Sequence, residues 1–298
     1  ILSGLVGSEM CIRDRSRLRE VLDYIPRQYT CFHVRKRSGG FRYISAPAGD
    51  FRSMQQTIYH RILLLANIHP AVTGFCPGKS VSDNARVHLG RKNVLKVDLH
   101  DFFPSIRSPR VRAAFREMGY SRSIAKVLAE LCCLRCCLPQ GAPTSPALSN
   151  IIAYPMDKKM MALAGEYGLV YTRYADDLTF SGDYLPKDEV LVRIHRIIRE
   201  EGFTMNVKKT RFLSEHKRKI ITGVSVSSGK KMTLPKVKKR EIRKNVHYVL
   251  TKGLVGHQEH IGSTDPVYLK RLLGSLCYWR SIEPVSYTHL RAHETRED

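Results

Sequence analysis

Two acidic groups in this 298-residue chain stand where chemistry could occur. Asp98 closes the apolar, β-branched run 94–99 (VLKVDL), and Asp176-Asp177 sits between two short strand-like runs in 169–180. An ionised carboxylate at the end of a buried strand is costly unless it is paired or metal-bound. Two adjacent Asp at a tight turn repel one another, and a divalent cation relieves that repulsion. Three Asp collected on neighbouring strands are what two-metal phosphoryl transfer requires. One Mg²⁺ lowers the pKa of an attacking 3′-hydroxyl, and the other steadies a departing pyrophosphate. An Asp-Asp pair alone is ordinary, because turns are rich in Asp.

The surrounding elements must bring these acids together. Segment 35–47 (RKRSGGFRYISAP) reads as a hairpin with Ser38-Gly39-Gly40 as its turn, and 55–65 has helical spacing through Ile58, Ile62 and Leu65. Helices are expected at 108–118 and 123–134. A third should start at Ser145-Pro146 after the loop LPQGAPTSP and run to about 163, burying Leu148, Ile151, Ile152 and Met156. An amphipathic helix at 187–201 and strands at 204–212 and 220–226 follow. Beyond 228 the chain turns strongly basic and helical, at 235–252 and 268–281.

Fifty Lys and Arg against 27 Asp and Glu give a formal charge of +23, a surplus that points to a polyanionic partner. A ribosomal-type or simply basic protein is the bland alternative. No apolar run is long enough to span a membrane. Of eight Cys, four lie in CCLRCC (Cys132, Cys133, Cys136, Cys137); without a second zinc-spaced cluster they read as buried thiols in a reduced, cytoplasmic setting. The terminal peptides LVGSEMCIRD and VSYTHLRAHE can be encoded by opposite strands of one DNA segment. Residues 1–15, which include Cys11, and 285–298 are therefore expected to derive from a sequencing adapter and are set aside from the fold.

VDLHDFFPSI, LPQGAPTSP and YADDLTF occur in that order, and together they resemble bacterial reverse transcriptases over about 35–226. The resemblance implies an α+β right-hand polymerase with fingers, a palm of antiparallel sheet packed on helices, and a helical thumb. Fingers and palm would occupy 16–227 and the thumb 228–284. It implies two Mg²⁺ ions held by Asp98 (with Leu99 beside it), Asp176 and Asp177. Phe103 matches the aromatic gate that excludes a ribose 2′-hydroxyl; a core phenylalanine is the alternative. Arg42, with Arg35 or Lys36, matches the basic grip on the triphosphate, and Gln140 and Gly141 belong to the matched PQGxPxSP string. A solvated hairpin face is the alternative for Arg35 and Lys36. Lys209, or Lys208 beside it, matches the lysine proposed to protonate pyrophosphate.

Asn84, Ala85 and His88 (NAxxH), with Thr222-Gly223, resemble retron signatures and are the expected RNA and template contacts. Retron membership implies a structured non-coding RNA as template and primer, an RNA–DNA hybrid, dNTPs, a branched RNA–DNA product, antiphage defence and an effector partner. The rivals are a group-II-intron-type or other bacterial reverse transcriptase, and an RNA-binding scaffold with an idle polymerase site. An RNA-templated RNA polymerase fits less well, because the hairpin reads YADD and Phe103 disfavours ribonucleotides.

Overall fold

The structure is a computed structural model that describes residues 18, 20–36 and 39–284. The flanks 1–15 and 285–298, Cys11 and the turn residue Ser38 lie outside them. Among the described residues no helix is long and apolar enough to cross a membrane.

The expected hairpin forms and is longer than its motif. Strand β1 (Tyr29–Arg35) pairs antiparallel with β2 (Phe41–Pro47), from Arg35 opposite Phe41 back to Tyr29 opposite Pro47. At the tip, Gly39 and Gly40 take φ of +87° and +75°, which glycine adopts without steric cost. Burial rises from the exposed tip towards Ser45 and Pro47 at the base. Helix α1 (Gly49–Arg61) follows and buries Phe51, Gln55 and Ile58. It starts earlier than the apolar spacing predicts and ends at Arg61, with the rest of that spacing carried by a 3-10 turn at Leu63–Leu65.

The chain is α+β. Its central sheet has four strands in the order β4-β5-β3-β6, namely β3 (Asn93–Asp98), β4 (Val170–Tyr174), β5 (Asp177–Gly182) and β6 (Arg211–Leu213). Helices α2 (Val81–Arg86), α3 (Phe102–Ser105), α4 (Ser108–Glu117) and α5 (Arg122–Cys132) come before the PQG loop. The helix expected over 145–163 is two, α6 (Ser145–Ile152) and α7 (Tyr154–Glu166). Pro155 lacks an N–H and clashes with a preceding turn, so it starts α7 rather than continuing α6. Leu148 and Met156 are buried as expected, whereas Ile151 and Ile152 are only partly so.

Helix α8 (Lys187–Glu200) buries Val190, Ile194, Ile197 and Ile198 on one face. Two expected strands are corrected. Within 204–212 the expected strand is broken: Met205 makes a single bridge to Leu99, Asn206 then accepts N–H groups from Lys209 and Thr210 in a helix-like turn, and only from Arg211 does the chain enter β6. Segment 220–226 is a minimal hairpin, β7 (Ile220–Ile221) and β8 (Val224–Ser225), folded at Thr222-Gly223.

Contacts divide the chain into two units. One comprises the residues up to Gly78, Lys96–Phe180 and Pro186–Arg211; the other comprises Lys79–Leu95, Ser181–Leu185 and Phe212 onward. Residue 228 thus lies inside the second unit, whose own core gathers Ala85, Val94, Ile221, Val224, Ile242 and Ile282. Its helices are α9 (Lys236–His260) and α10 (Tyr268–Ile282). Gly253, at φ +72° and ψ 170°, interrupts α9 one residue past the end predicted for the first basic helix. The seven described cysteines are all free thiols. Burial pushes the Cys133 thiol up to about 12, consistent with an inert interior residue.

Candidate active site

Strand pairing brings the three acids together. Asp98 ends β3, Asp177 begins the adjacent β5, and the Leu99 N–H donates to the Asp176 carbonyl at 2.9 Å. Burial, then the Asp177 charge, holds the Asp176 carboxyl above the usual carboxylate range. Burial likewise raises Asp177, partly offset by Lys96. Asp98, 7 % exposed, receives the Lys209 ammonium on both carboxylate oxygens at 3.0 Å. The turn at Asn206 makes this possible: its N–H donates to the Asp98 carbonyl at 2.7 Å, and the chain then doubles back to present Lys209. Of the two candidate lysines, Lys209 is therefore the one the structure sets on the acids. Asp98, Asp177 and Lys209 line a cleft of about 220 Å³ with Lys96 and Arg211.

The donor chemistry fits a hard divalent cation, since carboxylate oxygens with uncompensated charge are its preferred ligands. The side chains are not converged on one point. Among the described residues no three His, Cys, Asp or Glu are arranged to hold a metal, and a lysine ammonium is the cation on Asp98.

The hairpin carrying Asp176 is held by a network that motif reading missed. Arg173 and Asp157 are both fully buried, joined by two charge-assisted bonds of 2.8 and 2.7 Å. The same guanidinium donates to Asn150 Oδ1 and to the Ala175 carbonyl, each at 3.1 Å. Tyr171 donates to Asp157 at 2.7 Å, and Asn150 Nδ2 donates to the Gly74 carbonyl at 2.9 Å. Ala175 sits at φ +57°, a left-handed conformation that costs an alanine about 1 kcal/mol. A Cβ on Gly74 would lie 2.7 Å from the Ala175 nitrogen, so only glycine allows this approach. The available signal was an Arg inside a strand-like run otherwise rich in apolar residues, VYTRYADD.

A second cleft in the same unit, of about 550 Å³, takes in Arg42, Phe75, Phe103, Gln140 and Gly141. The Ser45 N–H donates to the Gln140 carbonyl at 2.7 Å, tying the PQG loop to the hairpin. A Cβ on Gly141 would meet the Ser45 carbonyl oxygen and the Ile44 side chain at 2.9 Å, and its φ is +119°. Arg42 therefore lines the cleft with the PQG residues. Arg35 and Lys36 are exposed on the hairpin and do not line it.

The four residues expected at RNA all occupy the second unit, where Asn84 meets Thr222 and His88 meets Ser181. Asn84 Nδ2 lies 3.4 Å from Thr222 Oγ1, which in turn donates to the Val81 carbonyl at 3.1 Å. Thr222 and Gly223 both take positive φ, the requirement of a two-residue I′ hairpin. His88 is fully buried, 2.7 Å from Ser181 Oγ, and burial with the Arg91 charge lowers its pKa to about 3. Asn84 is 1 % exposed, so neither it nor His88 presents surface to a ligand in this structure.

Residues 34–248 match the family described as reverse transcriptase (RNA-dependent DNA polymerase). The retron Mx65 reverse transcriptase of Myxococcus xanthus is 35 % identical over 87 % of this chain and 62 % of its own length. The retron Ec86 reverse transcriptase of Escherichia coli is 36 % identical over 74 % of this chain and 68 % of its own. The chain thus spans about two thirds of these relatives. Among solved structures, a telomerase from Candida tropicalis in complex with a telomeric RNA fragment is 12 % identical, with a TM-score of 0.48 over 88 % of this chain and 56 % of its own. That likeness is too distant to carry an argument. The ordered motifs, the acids gathered at the ends of adjacent strands and the family match agree: the chain belongs to the reverse transcriptase family, and to the retron type within it.

Proposed function

We propose that this chain is an RNA-directed DNA polymerase that adds dNTPs to a growing strand on a structured RNA. The observation that carries this reading is the gathering of Asp98 and Asp177 on adjacent strands, with Asp176 in the turn beside them, next to a basic, aromatic cleft. Asp98, Asp176 and Asp177, with the Leu99 carbonyl, would hold two Mg²⁺ ions. Bound divalent cations would supply Lewis acidity at the 3′-hydroxyl and at the departing pyrophosphate. Lys209, held on Asp98 at 3.0 Å, would be the group that hands a proton to a pyrophosphate oxygen.

Arg42 would grip the triphosphate, its guanidinium giving paired bonds where an ammonium gives one. Gln140 and Gly141 would shape the cleft around the incoming nucleotide, and Phe103 would close it against a 2′-hydroxyl. Arg35 and Lys36 would act earlier, drawing polyphosphate and RNA by charge. The Asn84–Thr222 and His88–Ser181 contacts would hold the surface around Gly223 in shape for the cognate RNA. The basic face of α9 would follow the hybrid backbone by shape. A branched RNA–DNA product, a role in antiphage defence with an effector protein, and a cytoplasmic location complete the retron reading.

The test is template-directed synthesis. With Mg²⁺ and a primed RNA, the product should copy the template base by base and stop when EDTA is added. Untemplated addition, or synthesis unaffected by chelation, would contradict the reading.

A further inference from the structure

Phe75 lies in TGFCPG, a loop the motif reading did not use. Its backbone is at φ +60°, where a bulky side chain is a genuine outlier. The strain has a visible source. Gly74 is locked against Ala175 on one side and held through its carbonyl by Asn150 on the other, so the chain must turn sharply at the next residue. Glycine is the residue such a turn favours. A phenylalanine stands there instead, 42 % exposed, with its ring facing the larger cleft.

The ring's neighbours say what it is for. Its centroid is 6.2 Å from the Phe103 ring and 6.2 Å from the Tyr174 ring. Phe103 stands where the incoming sugar is checked, and Tyr174 begins the hairpin that carries Asp176. Phe75 spans the gap between those two places. An apolar aromatic face carries no base preference, because every base offers a π-face and a sugar edge.

We infer that Phe75 is a specificity residue whose ring supports the base pair being formed, touching the incoming nucleotide and the 3′-terminal nucleotide together. This inference rests on the polymerase reading above. Strain held at such a site is a usual sign of a functional constraint.

Phe75→Gly separates the ring from the fold, since glycine keeps the backbone at its preferred φ. Expected for Phe75→Gly are a KM for the templated dNTP about tenfold higher and a kcat within about threefold of the parent. Preference for a matched over a mismatched 3′ end should fall about tenfold. The Tm should equal or exceed that of the parent, and Phe75→Tyr should restore both KM and mismatch preference. A Phe75→Gly chain whose KM and mismatch preference stay within twofold of the parent overturns the inference. So does a loss matched by a fall in Tm, which would make the ring a packing residue. If the parent itself copies no RNA while another reverse transcriptase does so on the same template, the polymerase reading fails and takes the inference with it.

Discussion

The carboxylate hairpin and the β1–β2 hairpin flank the chemistry in the same unit and are built in opposite ways. The first is wired from beneath by Arg173, Asp157 and Asn150, all with essentially no exposure. The second is exposed along most of its length and joined to the PQG loop through Ser45 and Gln140. Charges that must stay in register over the acids are set in the interior, where a missing partner is costly. The charges proposed to collect a polyphosphate, Arg35, Lys36 and Arg42, are set on a surface, where long side chains can adapt.

Substitutions sharpen this contrast. The largest effect is expected at the buried end: Arg173→Leu leaves Asp157 as an uncompensated interior charge, and stability should fall by about 3–5 kcal/mol in chemical denaturation. A loss below about 1 kcal/mol, typical of a surface pair, would break the contrast. Next is the junction. Gly141→Ala places a Cβ against the Ser45 carbonyl in a conformation unsuited to alanine, and kcat/KM for dNTP should fall about tenfold or more through misplacement of the cleft. At the exposed end, Arg42→Ala should raise the dNTP KM about tenfold, whereas Arg35→Ala and Lys36→Ala should each stay within about twofold at physiological salt. Equal losses at all three positions would mean that exposure does not sort their roles.

A pH dependence carries the contrast into the second unit. The folded-state pKa of His88 is about 3, below the ordinary value near 6.5, because burial disfavours its charged form. Its contribution is complete above about pH 6.5 and is lost as pH falls towards 3, by at most about 1.4 kcal/mol per pH unit. His88→Gln should flatten the fall in stability between pH 7 and 5, and an unchanged slope would place the titrating group elsewhere.

The candidate site was legible because it resides in short strings: Asp98, the PQG loop and YADD are local patterns with local turns. The elements around them were legible where periodicity was unbroken, as in α8 and the first part of α9. Pro155 ends α6 and starts α7, so the one helix predicted over 145–163 is two. Asn206 folded an expected strand into the turn that delivers Lys209, a pairing across 111 residues that spacing does not encode. The Arg173–Asp157 clamp and the Phe75 loop were hidden for the same reason. Their meaning lies in what they touch across the fold. Asn84, His88 and Thr222 were visible as a signature, yet the Asn84–Thr222 and His88–Ser181 contacts and the burial of Asn84 and His88 emerge only in three dimensions.

The central claim is that Asp98, Asp176 and Asp177 form a metal-dependent polymerase centre, and Asp176→Asn tests it most directly. dNTP incorporation on a primed RNA should be compared with the parent across a range of Mg²⁺, with Tm measured for both. The account predicts no detectable incorporation at any Mg²⁺ concentration and a Tm no lower than the parent's, since the amide removes a buried, repelled charge. Incorporation retained at ordinary Mg²⁺ would contradict it.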